Sequence, residues 1–137
     1  RLITYMPEYL LNLTKFLIPF LLGGLIFFSA LVAPNVFTSL DEKNARVFLR
    51  GIFPKLYLFA GIFSLFISLI LFFINNFLSF IYFIITIGYF YSRQFLMIKI
   101  NEASDQKNQQ EFKKLHRFSV LIFIVQILLM LLIYIIL

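Results

Sequence analysis

The chain has 137 residues, of which 62% are hydrophobic and only 13% are charged, and its mean hydropathy is +0.98. Soluble domains contain about half apolar and about a quarter charged residues, so a water-soluble fold of this size could not bury so much apolar surface. The chain has no cysteine, which excludes disulfides, thiolate metal sites and cysteine nucleophiles.

Four stretches are long enough to cross a bilayer, which takes about 20 mostly apolar residues. They are residues 16–36, 54–74, 77–98 and 118–137. Because they occupy most of the chain, they predict a single all-α domain, an integral membrane four-helix bundle. Residues 1–15 are expected to form an interfacial lead-in to the first span. Pro19 is expected in the first turn of that span, where its missing N–H costs little.

The connections between the predicted spans differ in length. Only Asn75 and Asn76 separate the second span from the third, which predicts a tight hairpin. The first and third connections are long and basic. Ser39 followed by Glu42 has the spacing of a capping box, which favours a short helix in the first connection. The third connection is expected to extend its two spans as helix, with a break within residues 101–108.

The basic residues are distributed unevenly between the two sides of the membrane. Of the 12 Lys and Arg residues, all except Arg1 and Lys15 fall on the side of the two long connections. Basic loops stay in the cytoplasm, so we expect both termini outside, two long basic cytoplasmic loops and a bacterial cytoplasmic membrane location. Topology therefore explains the net charge of +6, and no nucleic-acid partner is predicted.

Small and polar side chains mark the faces on which membrane helices pack. At 100° per residue, each span places such residues along one face. For the first two spans these residues are Gly23, Phe27, Ala30, Pro34, Tyr57, Gly61, Ser64 and Ser68. For the last two they are Ser79, Tyr82, Thr86, Tyr89, Arg93, His116, Ser119, Phe123, Gln126 and Met130. Helix packing is the favoured interpretation, and a transport path is the alternative.

Several polar residues are expected at one level of the membrane, near its cytoplasmic side. They are Asn35, Tyr57, Arg93, His116 and Ser119. A charged side chain at this depth usually faces protein or a water-filled cavity. The sequence thus predicts a cytoplasm-facing polar pocket with Arg93 and His116 as its charged members. The alternatives are that Arg93 extends to the headgroups and that His116, the only histidine, is an interfacial residue.

Three short motifs carry a resemblance to a known family. They lie in the stretches GGLIFFSALVAPNVFTSL, IFPKLYLFAGIFSL and KKLHRFSVLIFIVQ. In order and spacing the chain resembles the transmembrane-protein-205-like domain family, small four-span CopD-like membrane proteins. The matching residues are Val32, Ala33, Pro34, Phe37, Phe53, Pro54, Tyr57, His116 and Ser119. The resemblance covers nearly the whole chain and implies the fold, but that family largely lacks an assigned activity.

No catalytic set is visible, because all six carboxylates lie outside the predicted spans and no Ser/His/Asp group forms within them. We therefore expect no enzyme. With a single His, three Met and no Cys, no cofactor is predicted, although His116 is a candidate haem or metal ligand. The leading hypothesis is an accessory or structural subunit that contacts lipids and other transmembrane subunits or copies of itself. The alternative is a metal-handling, haem-handling or small-solute transport protein that uses the polar pocket.

Overall fold

The computed structural model describes residues 2–137, with side chains described for residues 7–137. All elements in this range are helical. In chain order they are α1 (Leu2–Phe27), a first π-helical turn (Phe28–Val32), α2 (Ala33–Ser39), α3 (Glu42–Phe72), α4 (Asn76–Tyr91), a second π-helical turn (Ser92–Leu96), α5 (Met97–Asp105) and α6 (Gln109–Ile136). The π turns join helices without interruption, which leaves four long rods. Each rod is long and apolar enough to cross a membrane, as the composition predicts.

The third connection extends both of its spans as helix with a break at residues 106–108, as predicted, whereas the short separate helix expected in the first connection is instead the beginning of α3. The helices continue through those segments, and the connections shrink to residues 40–41 and 106–108. The cap of α3 is Asp41, whose carboxylate accepts a hydrogen bond from the Asn44 N–H at 3.3 Å, and not Ser39. Lys107 has a φ of 56°, the left-handed geometry that ends a helix, and reverses the chain before α6. The end of the bundle that carries both connections is called the loop end below.

The first span also begins earlier than predicted. Residues 2–15 belong to the same continuous helix as the residues that follow, and Arg1 lies outside the described residues. Pro19 therefore lies in the interior of α1 and not in a first turn. It leaves the Lys15 carbonyl without its intrahelical donor. Membrane helices tolerate this because neighbouring groups and small local adjustments satisfy the freed carbonyl.

The predicted tight hairpin joins α3 to α4 as expected. The Asn75 side chain accepts hydrogen bonds from the N–H groups of Phe77 (3.0 Å) and Leu78 (3.2 Å) and so caps α4. Next to the turn, the Ser68 hydroxyl donates to the Ser79 carbonyl at 2.9 Å, and the Ser79 hydroxyl donates to the Ser68 carbonyl at 2.7 Å. α3 and α4 are the most closely packed pair of helices in the bundle.

The four rods form a closed ring in which α1 contacts α3 and α6, and α4 contacts the same two helices. The core lies mainly in the half remote from the loop end. Its largest buried side chains include Ile18, Leu21, Leu25, Ile67, Leu71, Tyr82, Ile85, Tyr89, Met130 and Ile133. Large side chains fill this half and fix the positions of the four helices. The half at the loop end is less densely filled.

The helix faces expected to pack are largely buried in α3, α4 and α6, but not in α1. Gly61, Ser64 and Ser68 are buried against α4. By contrast Gly23, Phe27, Ala30 and Pro34 are all exposed. A side chain added at Gly23 would meet nothing within 4 Å. The reason is that α1 packs through Ile18, Leu21 and Leu25, which leaves Gly23 and Phe27 on the outside, while Ala30 is exposed to the cavity described below.

One polar contact joins α4 to α6 inside the bundle. The Gln126 amide nitrogen donates to the Ile85 carbonyl at 2.9 Å. It passes over Gly88, where any side chain would overlap that nitrogen. Glycine at this position therefore lets the two helices approach closely enough for the bond.

Candidate functional site

A cavity of about 1050 Å³ opens at the loop end, between α1–α2, α3, α5 and α6. Its inner walls are apolar and include Ile26, Ala30, Phe53, Phe123, Ile124 and Ile127. Its mouth is polar and includes Glu42, Arg46, Arg50, Asn101, Asp105 and Lys107. Along α6 the lining runs from Gln109 to Ile127, which corresponds to about 27 Å of helix. The cavity is thus elongated along the bundle and changes from polar to apolar with depth.

Small side chains leave the space that the cavity occupies. Ala30 and Ala33 line it from the first rod, Ala45 from α3 and Ala103 from α5. By contrast, Leu, Ile and Tyr side chains fill the half of the bundle remote from the loop end. The first π-helical turn lies beside it. This turn precedes Pro34, which cannot donate to the Ala30 carbonyl, so the widened turn absorbs the lost hydrogen bond.

The mouth of the cavity is bridged by an ion pair between α3 and α5. The Arg50 guanidinium lies 2.6 Å from an Asp105 carboxylate oxygen and also donates to the Asn101 carbonyl at 3.4 Å. A second pair, Arg46 with Glu42, has a separation of 3.3 Å and lies within α3. Glu42 is 89% exposed, so solvent screens this second pair and it contributes little to stability.

Three of the five residues predicted to form a polar pocket line the cavity: Tyr57, His116 and Ser119. The Ser119 hydroxyl donates to the His116 carbonyl at 2.8 Å. The exposed His116 ring stacks on Phe112, with centroids 5.8 Å apart and an angle of 14° between the planes. Tyr57 is buried at the inner end, with its ring 6.5 Å from that of Tyr89.

The other two predicted residues, Arg93 and Asn35, lie outside the cavity lining. Arg93 donates through Nε to the Pro54 carbonyl at 3.1 Å and through a terminal nitrogen to the Gln94 amide oxygen at 2.7 Å. It thereby links the second π-helical turn to α3. Met97, which follows this turn, lines the cavity, whereas Arg93 does not. Asn35 is exposed and contacts Thr38.

Sequence reasoning missed the charged residues of the mouth. Arg46 and Arg50 fall in the first connection, for which only a short helix is expected, and Asp105 falls within the expected break, so no face toward a pocket is predicted for them. A signal was present, because Glu42, Arg46, Leu49 and Phe53 recur at helical spacing and continue into Tyr57. These residues line one wall of the cavity. The helical spacing of these residues therefore predicts that the site continues beyond the end of the predicted span.

The donor set at His116 does not resemble a metal site. Within the described residues, no group of three or more His, Cys, Asp or Glu side chains is arranged to hold a metal ion. Met97, Glu42 and Asp105 line the same cavity as His116, but the two carboxylates are paired with arginine side chains.

Comparisons with protein-family models, with curated protein sequences and with solved structures gave no match. The resemblance to the transmembrane-protein-205-like domain family thus rests on the short motifs alone. The function is therefore inferred from the cavity and from the residues that line it.

Proposed function

We propose that this protein is a non-catalytic integral membrane protein that binds a small amphipathic solute in the cavity at the loop end. The observation that carries the proposal is the cavity itself, whose apolar inner walls lead to a charged mouth. Binding sites for small molecules are typically concave, mostly apolar and provided with a few polar groups that fix orientation. A volume of about 1050 Å³ lies near the upper limit of such sites and suits a ligand larger than a simple ion.

Filling the inner end of the cavity provides the test of this proposal. Replacement of Ala30 by phenylalanine places a ring among the apolar lining residues and is expected to abolish binding of amphiphiles. Oleyl alcohol is a suitable probe, and native mass spectrometry in nonionic detergent counts the bound molecules. Val125→Phe is the matched control, because Val125 is exposed on α6 outside the cavity lining. Equal binding by both variants would contradict a ligand site in the cavity.

The proposal includes an orientation in which the loop end faces the cytoplasm of a bacterial cell and both termini face outward. The distribution of Lys and Arg supports it, because Lys15 is the one basic residue within residues 2–137 that lies toward the other end. In this orientation the cavity receives its ligand from the cytoplasm or from the inner leaflet of the cytoplasmic membrane.

Single cysteines provide a direct test of orientation, since the natural chain contains none. An impermeant maleimide added to spheroplasts should label Asn76→Cys, next to the hairpin, and should fail to label Lys114→Cys, near the loop end. Lysis of the spheroplasts should make both sites reactive. Labelling of Lys114→Cys alone before lysis would mean that the protein has the opposite orientation.

A second candidate function is that of an accessory subunit in a larger membrane complex. The exposed face of α1 favours it. Gly23 and Gly24 leave this face open to close approach by another helix, and the Phe27 ring beside them is exposed. The native mass of the endogenous protein, extracted in mild detergent, distinguishes the two functions. We expect a large complex if this function holds, and a monomer or small homo-oligomer would contradict it.

A further inference from the structure

We infer that the cavity binds a single-chain anionic amphiphile, namely a long-chain fatty acid, with its carboxylate at the loop end and its acyl chain directed inward. This inference rests on the proposed function and specifies the chemical class of the ligand. It follows from three properties of the cavity: its polarity along the bundle axis, its length and the net charge of its mouth.

The polarity of the lining matches that of an amphiphile lying parallel to the helices. Phe123 and Ile127 on α6, together with Ile26 on α1, surround the inner end, whereas the ion pairs of Arg46 and Arg50 surround the mouth. An apolar chain is favoured inside because it covers apolar surface without leaving any polar group unpaired. A polar solute of equal volume would leave its own hydrogen-bonding groups unsatisfied there.

The length of the cavity suits a long acyl chain. Its lining extends along about 27 Å of α6, while one leaflet contributes about half of a hydrocarbon core that is about 30 Å thick. An acyl chain of ordinary membrane length therefore fits within the cavity together with its headgroup. A short carboxylic acid would leave most of the inner apolar wall uncovered.

The charge of the mouth favours a ligand with a single negative charge. Three basic residues line it, Arg46, Arg50 and Lys107, against the two carboxylates of Glu42 and Asp105. The bond between Arg50 and Asp105 is short and links two helices, so we assign it a structural role. Arg46 is paired only with the highly exposed Glu42, which a ligand carboxylate can replace at little cost. The excess of one positive charge matches a carboxylate monoanion better than a phosphate dianion.

Native mass spectrometry of the purified protein in nonionic detergent tests the inference with oleate as the probe. Oleyl alcohol, which has the same chain length and no charge, reports occupancy of the cavity without the headgroup contact. The double variant Arg46→Gln, Lys107→Asn removes two charges from the mouth, and asparagine tolerates the left-handed backbone of Lys107. Lys113→Gln, Lys114→Gln is the matched control, because these residues carry the same charge at the same end but do not line the cavity.

We expect one oleate per chain, binding at least about tenfold more tightly than oleyl alcohol, and a loss of roughly tenfold or more in the Arg46→Gln, Lys107→Asn variant. The lysine control should bind oleate as the natural chain does. Equal affinity for oleate and oleyl alcohol, or no effect of the double variant, would overturn the fatty-acid assignment and leave the proposed function intact. Tighter binding of oleoyl lysophosphatidate than of oleate would also overturn it. If Ala30→Phe blocks the binding of neither oleate nor oleyl alcohol, or if neither binds, both the fatty-acid assignment and the proposed function fail.

Discussion

Replacing Gly88 by alanine is expected to lower the free energy of unfolding by about 1–2 kcal/mol, although alanine is the better helix former. The added methyl group would overlap the side-chain nitrogen of Gln126. That nitrogen donates to the Ile85 carbonyl, and the bond lies in the buried contact between α4 and α6. The bond must therefore break or the helices must separate, and either outcome leaves the Gln126 side-chain nitrogen unpaired in an apolar interior.

Far-UV circular dichroism during unfolding in mixed micelles measures this loss. Gly51→Ala is the matched control, because it adds the same methyl group to a helix where nothing lies within 4 Å. The control should be neutral or slightly stabilising, by up to about 1 kcal/mol. The change Gln126→Met removes the amide while keeping its length, so Gly88→Ala should cost much less in that background. An equal cost in both backgrounds would mean that the overlap with Gln126 does not cause the loss.

The membrane class, the number of spans and the largely buried faces of α3, α4 and α6 can all be predicted from the sequence. In lipid, a helix needs about 20 apolar residues and forms all its backbone hydrogen bonds within itself, so one stretch of sequence is enough to identify it. In α3 and α4, serine and glycine residues at helical spacing meet each other across a tight hairpin, as the Ser68 and Ser79 bonds show. The partner of each face is therefore the nearest element in the chain.

The remaining features depend on contacts that a single span does not encode. The prediction starts the second span at Pro54 and expects only a short separate helix before it, yet α3 runs without interruption from Glu42. Outside the hydrocarbon region, charged residues are compatible with either a helix or a loop, so the sequence does not decide between them. The ion pair of Arg50 with Asp105 stabilises the helical extension. Likewise, the outward direction of Gly23 depends on how large side chains of α1 fit α3 and α6.

The candidate site was predicted only in part for the same reason. His116, Ser119 and Tyr57 were placed at one level by counting residues from the ends of the spans, and all three line the cavity. Arg93 is expected at the same level, but it lies in a π-helical turn and its guanidinium donates to the Pro54 carbonyl of α3 instead of lining the cavity. A π turn depends on the surrounding structure and is not visible in hydrophobic periodicity.

Replacing Tyr82 by phenylalanine is expected to raise the free energy of unfolding by about 1 kcal/mol. Tyr82 is fully buried, and its hydroxyl has no hydrogen-bond partner among the described groups. Removing the oxygen keeps the ring in the core and eliminates an unpaired polar atom. Tyr89→Phe is the matched control, because Tyr89 is equally buried on α4 but its hydroxyl donates to the Met130 sulfur at 3.4 Å. It should be neutral or slightly destabilising.

The same unfolding experiment compares the free energies of unfolding of Tyr82→Phe and Tyr89→Phe. We expect Tyr82→Phe to be the more stable of the two. The Ser64 hydroxyl and the Gln126 amide oxygen are also buried without a partner among the described groups. If Tyr82→Phe destabilises the protein, the Tyr82 hydroxyl must bind a group in the folded state, and an internal water shared with Ser64 or Gln126 is the simplest such group. Ser64→Ala would then also destabilise, whereas an unpaired hydroxyl predicts that it stabilises. The two single variants together therefore decide whether the centre of the bundle is dry.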